Sequence, residues 1–128
     1  MSEKNQQSAQ LRSQLRLMLG DEIAFGPGKA DLLDAIQDTG SISAAGKKMG
    51  MSYRRAWLLV DAMNRCFNEP LVAAAKGGAN GGGSQLTDFG KHVLRNYREL
   101  QAEIAVITKK HFTNFKPLLR KTPLNSET

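Results

Sequence analysis

The chain has a single cysteine, Cys66, and two histidines, His92 and His111. One thiol cannot build a disulfide framework, and one thiol with two distant imidazoles makes no metal cluster. That cysteine usage fits a reducing, cytoplasmic setting. Long apolar runs are also missing, and none approaches the roughly 20 residues of a membrane span. The first thirteen residues are polar, which predicts no secretory signal. Gly77-Gly78-Ala79-Asn80-Gly81-Gly82-Gly83 is rich in glycine. It nevertheless lacks the lysine and hydroxyl residue of a phosphate-binding loop, and it fails the dinucleotide G-x-G-x-x-G spacing. No pair of carboxylates is singled out for acid–base work. These absences leave no constellation for an enzyme, a cofactor or a metal.

What the chain does have is unevenly placed positive charge. The net charge over 128 residues is +6. Residues 1–40 carry four basic and six acidic side chains, and residues 41–128 carry fourteen basic and six acidic. A basic footprint confined to one part of a small domain points to a polyanionic partner. The length predicts one domain with a core that needs no disulfide staples.

Punctuation residues divide the chain into short elements. Residues 1–10 lack apolar periodicity, and the N-terminus over 1–13 is expected to be disordered. Leu11–Leu19 and Glu22–Phe25 read as a short β-hairpin, with a short helix as the alternative for the first segment. Gly26-Pro27-Gly28 breaks the chain. Lys29–Asp38 is a helix with Leu32, Leu33 and Ile36 on one face, ended by Gly40. Ser43 can cap a second short helix that stops at Gly50. Ser52 caps a third helix running to about Asn68. Leu71–Lys76 and Ser84–Leu86 read as strands flanking the glycine tip. Thr87 caps a long helix to about Phe112. The tail, 113–128, is expected to be partly ordered.

Three helices, a glycine turn and a glycine-tipped hairpin make a winged helix-turn-helix, mainly α with a small β wing, over 14–112. Ala44, Ala45 and Gly46 are small enough for the second helix to cross the third closely. Ala56, Val60, Met63 and Phe67 give the third helix its inward stripe. The first turn of that helix, Ser52, Tyr53, Arg54 and Arg55, is then exposed. A helix fits the major groove of B-DNA, and arginines in its first turn can grip guanine O6 and N7. Ser52 suits a phosphate, and Tyr53 suits a phosphate or a thymine methyl. Trp57 lies on the flank, either half-buried or against DNA. Lys47 and Lys48, on the helix that crosses the backbone, are expected phosphate contacts, and Ser43 on the same helix is an expected DNA-binding residue. Lys76, Gly77, Gly78, Gly81 and Gly82 at the wing tip can reach an adjacent groove or phosphate.

On the long helix, Val93, Tyr97, Leu100, Ile104 and Ile107 follow spacings of four, three, four and three, a heptad seam. The seam predicts a homodimer interface, with docking against the N-terminal segment of the same chain as the alternative.

Gly40-Ser41-Ile42-Ser43-Ala44-Ala45 through Gly50-Met51-Ser52-Tyr53-Arg54-Arg55-Ala56-Trp57, with the Lys76–Gly83 wing and Leu86-Thr87-Asp88-Phe89-Gly90, resembles the N-terminal DNA-binding domain of the ModE family of molybdate-responsive transcriptional regulators. The Ser-Ala pattern is shared with LysR-type helix-turn-helix domains; the Ser-Tyr-x-x-Ala-Trp stretch is more specific. The resemblance covers about residues 14–112. It implies specific binding of duplex DNA as a dimer, through Ser52–Arg55 and the wing. About sixteen residues follow the long helix, so the C-terminal molybdate-binding domains of that family are not expected here. Any signal would then come from a separate effector-sensing protein. The competing reading is a winged module that pairs with other proteins and has no specific DNA site.

Overall fold

The computed structural model describes residues 8–75 and 83–125. The elements follow in the order β1 (Leu17–Leu19), β2 (Glu22–Phe25), α1 (Pro27–Thr39), α2 (Ile42–Lys48), α3 (Tyr53–Cys66), β3 (Val72–Ala74), β4 (Ser84–Leu86) and α4 (Asp88–Phe115). A single 3-10 turn, Lys116–Leu118, comes after α4. The chain divides into two compact units, residues 14–99 and residues 1–13 with 100–128.

The unit 14–99 holds the helix-turn-helix and the wing. Its hairpin is real: β1 and β2 pair antiparallel through Leu17↔Phe25, Met18↔Ile23 and Leu19↔Glu22. Gly20 turns it with φ +60°, a conformation that costs a residue without a Cβ little. The helix left open for Leu11–Leu19 does not form. Residues 8–13 carry no regular structure.

Helix α1 starts at Pro27, two residues before the expected Lys29. Proline suits a first helical position, where its missing N–H would have no partner and its φ is already helical. Gly40 closes the helix in the left-handed region at φ +80°, its amide donating to the Ile36 carbonyl at 2.8 Å. The largest fully buried side chains are Phe25, Leu32, Leu33, Ile36, Val60, Met63 and Leu71. They come from the hairpin, α1, α3 and the segment entering the wing. Each such side chain contributes about 1.5–3 kcal/mol when taken out of water. Phe25 meets Phe67 and Tyr97 edge-on, with centroids 6.1 and 5.1 Å away.

The wing pairs β3 with β4 antiparallel, Val72↔Leu86, Ala73↔Gln85 and Ala74↔Ser84. Val72 and Leu86 turn inward, and Ala73 and Ala74 are exposed. Of the expected strand Leu71–Lys76, Leu71 and Ala75 lie outside β3 and Lys76 lies outside the described residues. Thr87 opens α4 as expected, its Oγ1 accepting from the Gly90 amide at 2.9 Å and donating to the Pro70 carbonyl at 2.7 Å.

In the other unit, residues 100–115 continue α4 to Phe115, past the expected end near Phe112. Leu100, Val106, Ile107 and Phe115 are exposed large apolar residues there. No described helix is long and apolar enough to cross a membrane.

Candidate nucleic-acid interface

Helices α2 and α3 approach closely because α2 offers no bulk at the crossing. Ala45 is fully buried, and a Cβ on Gly46 would sit 3.0 Å from the Ala56 Cβ. Gly50 makes the turn at φ +72°, and the Met51 amide donates back to the Gly46 carbonyl at 2.9 Å. Ser52 then caps α3, its Oγ accepting from the Arg55 amide at 3.1 Å. The inward stripe forms as the spacing predicts: Ala56, Val60 and Met63 are buried, and Phe67 is half-buried against Phe89.

The cap of α2 differs from expectation. Ser41, not Ser43, is the capping residue, with its Oγ accepting from the Ala44 amide at 2.9 Å. The left-handed Gly40 delivers Ser41 in extended conformation (φ −154°, ψ 151°), so the helix begins at Ile42. Ser43 sits inside the first turn and faces outward.

The first turn of α3 presents Tyr53, Arg54 and Arg55 to solvent. Neither arginine has an acidic partner among the described residues. The partnered arginines lie elsewhere: Arg65 pairs with Glu22 and Asp61, and Arg98 with Asp31 and Asp34. No acidic residue stands in that first turn. Two cations at the positive end of a helix oppose its dipole. They are therefore there at some cost to the fold.

Tyr53 and Trp57 stack edge-to-face, centroids 6.3 Å apart, and are 58% and 45% exposed. Trp57 thus packs on its neighbour on the helix surface and stays out of the core. Lys47 is exposed. Lys48 is exposed too but holds Asp38 at 3.1 Å, a surface pair of small energetic weight. Lys76, Gly77, Gly78, Gly81 and Gly82 lie outside the described residues. The foot of the wing is described, and it is tied to the helix-turn-helix: the Ser84 amide donates to the Gly40 carbonyl at 2.8 Å. Among the described residues, no group of three or more His, Cys, Asp or Glu side chains is placed to hold a metal.

The seam of α4 divides in two. Tyr97 is only 7% exposed; its hydroxyl donates to the Leu15 carbonyl at 2.7 Å and its ring meets Phe25. Val93 packs against the same core. Both positions pack within this chain, and Tyr97 meets the N-terminal segment at Leu15, the docking held as the alternative to a dimer seam. Leu100 and Ile107 are exposed, and Ile104 is half-buried.

Sequence reasoning missed Asn64. Its Oδ1 accepts from the Leu71 amide at 2.8 Å, and its Nδ2 donates to the Val72 carbonyl at 3.3 Å. An asparagine inside a helix gives no sequence signal of that reach.

Fold and surface together define a winged helix-turn-helix. The fold is shared with the DNA-binding domain in the CbnR–DNA complex, at a TM-score of 0.52 and 18% identity over 68% of this chain and 93% of that one. It is shared also with VV2_1132, a LysR family transcriptional regulator (TM-score 0.50, 15% identity, 66% of this chain and 27% of that one). No family model matches the chain. Its homologues are ModE-type proteins, and the match lies in their N-terminal part. The chain is 47% identical over 80 residues to the molybdenum transport protein ModE of Azotobacter vinelandii, covering 62% of this chain and 30% of that protein. It is 39% identical over 102 residues to the transcriptional regulator ModE of Yersinia pestis, covering 80% and 37%. To the DNA-binding transcriptional dual regulator ModE of Escherichia coli it is 38% identical over 90 residues, covering 70% and 34%. The chain thus spans about a third of the length of the curated relatives it matches.

Proposed function

We propose that this chain reads duplex DNA as a transcriptional regulator, inserting the first turn of α3 into the major groove. The observation that carries the reading is the exposed, unpartnered pair Arg54 and Arg55 at the start of that helix. Their charge works against the helix they stand on, and a groove lined with guanine acceptors is what would reward it. Tyr53, Trp57 and Ser43 come together beside that turn, and Lys47 is exposed on α2. Ser52 remains able to donate its proton to a phosphate while its oxygen caps the helix. The relatives named as DNA-binding regulators support the reading. A cytoplasmic location accords with it.

We further infer a homodimer built on Leu100, Ile104 and Ile107, which would match two half-sites about 34 Å apart or a multiple of that distance. A separate effector-sensing protein would supply its signal. The test is selection of bound duplexes from a random pool, followed by binding to the selected site. Arg54→Ala or Arg55→Ala is expected to cost about 1–3 kcal/mol of affinity and to relax preference at one base pair. If both variants bind the selected site as tightly as the parent, the assignment of these residues is wrong.

A further inference from the structure

Beside the first turns of α3 lies an open cleft of about 290 Å³, walled by three elements. Ser41 and Ser43 come from the start of α2, Tyr53 and Trp57 from α3, and Gly83 and Ser84 from the foot of the wing. Among the described residues, no charged side chain lines it. Ser41 accepts from the Ala44 amide and keeps its own proton to give. Ser43 is exposed and Ser84 half-buried, and neither hydroxyl is engaged among the described residues. The width of the cleft is fixed at the wing. Ser84 is bonded to the Gly40 carbonyl, and a Cβ on Gly83 would meet that same oxygen at 2.9 Å.

The position of the cleft decides its ligand. A helix with its side chains is about 10–12 Å across and the major groove about 12 Å wide. A structure lying beside an inserted helix therefore meets the groove wall, which is sugar and phosphate. Its described lining offers no guanidinium or side-chain amide to read a base edge. Its hydroxyls can donate to phosphate oxygens, which only accept. The Tyr53 and Trp57 rings offer an apolar surface to a deoxyribose. We propose that this cleft seats one backbone phosphate of duplex DNA. Ser43 and Ser84 are the donors, and Gly83 is the positioning residue that lets the wing foot close the seat. The assignment rests on the DNA-reading function proposed above.

The experiment compares Ser43→Ala and Ser84→Ala with the parent on the selected duplex. Each substitution should weaken binding about three- to tenfold, the worth of one hydrogen bond. Base preference and the slope of affinity against salt should stay unchanged, since neither a base contact nor a charge is removed. Duplexes carrying a single uncharged methylphosphonate, walked along each strand, then locate the partner. At one position the two serine substitutions should cost nothing further. The seat is disproved if both variants bind like the parent, if base preference shifts, or if the serine loss is the same at every substituted position. A parent that binds no duplex would instead sink the DNA-reading function, and this seat with it.

Discussion

At the far end of α3, Asn64 acts as a piece of β-strand. Its amide group bonds both the Leu71 amide and the Val72 carbonyl, so one side chain hydrogen-bonds the start of the wing to α3. Asn64→Ala leaves the Leu71 amide without this partner, which should cost about 1–3 kcal/mol. Urea denaturation would measure it, and hydrogen exchange should rise in Leu71 and Val72 first. Gly90 is a second single point of support. A Cβ there would fall 2.1 Å from the Leu71 carbonyl oxygen, so no rotation relieves the clash. Gly90→Ala is expected to destabilise more than Asn64→Ala, although alanine favours helices elsewhere. Glu22 brings a pH dependence. Its carboxylate accepts from the Cys66 thiol and from Arg65, and these hold its pKa below the ordinary carboxylate value. A depressed folded pKa contributes stability above the unfolded value and loses it as pH falls through the folded one. The thermal midpoint of the parent should therefore fall further between pH 6 and pH 3 than that of Glu22→Gln. Equal falls would show that this cluster adds nothing to the acid response.

At the scale of elements, α3 begins with a capping box that has the wrong fourth residue for stability. Ser52 occupies the cap and Arg55 the third helical position, where a glutamate would reach back to the cap amide. Arg55→Glu should therefore stabilise the domain by about 0.3–1 kcal/mol while abolishing binding to the selected duplex. Calorimetry beside a binding titration reads both. A variant that loses stability and binding together would mean that Arg55 is there for the fold. This conflict between helix preference and the residue present is legible in the sequence, because the glycine turn, the serine cap and the apolar stripe of Ala56, Val60 and Met63 are all short-range signals. The cap of α2 is not legible there. Ser41 and Ser43 both fit, and the choice is made by Gly40 turning left-handed against Ile36. The wing's attachment is hidden for a related reason. Asn64, the Ser84–Gly40 bond and the lack of room at Gly83 join residues far apart in sequence, and no local pattern encodes them. Trp57 is ambiguous in sequence because a flank position can be half-buried or lie against DNA; it packs on Tyr53 at the helix surface and stays out of the core.

At the scale of the whole molecule, one periodic seam on α4 has a packed part and an exposed part. The heptad spacing from Val93 to Ile107 is uniform in sequence, yet Val93 and Tyr97 are taken up by Phe25, Leu15 and their neighbours. Spacing alone cannot show where a core ends and a free face begins. That boundary depends on how far the hairpin and α1 reach along the helix, and Arg98, held by Asp31 and Asp34 of α1, marks it. Beyond it, Leu100 and Ile107 are apolar and exposed. Their burial against a second copy is what the proposed dimer would gain, at about 25 cal/mol for each Å² of apolar surface. The double variant Leu100→Asp, Ile107→Asp should keep the circular-dichroism spectrum and melting cooperativity of the domain, since neither residue belongs to its core. Sedimentation should show the parent as a dimer and the variant as a monomer. On duplexes with two half-sites the parent should gain affinity over a single half-site, because the second contact is made intramolecularly, and the variant should bind both duplexes alike. A variant that stays dimeric would move the interface elsewhere. A monomeric parent that still prefers two half-sites would mean that DNA itself brings the copies together.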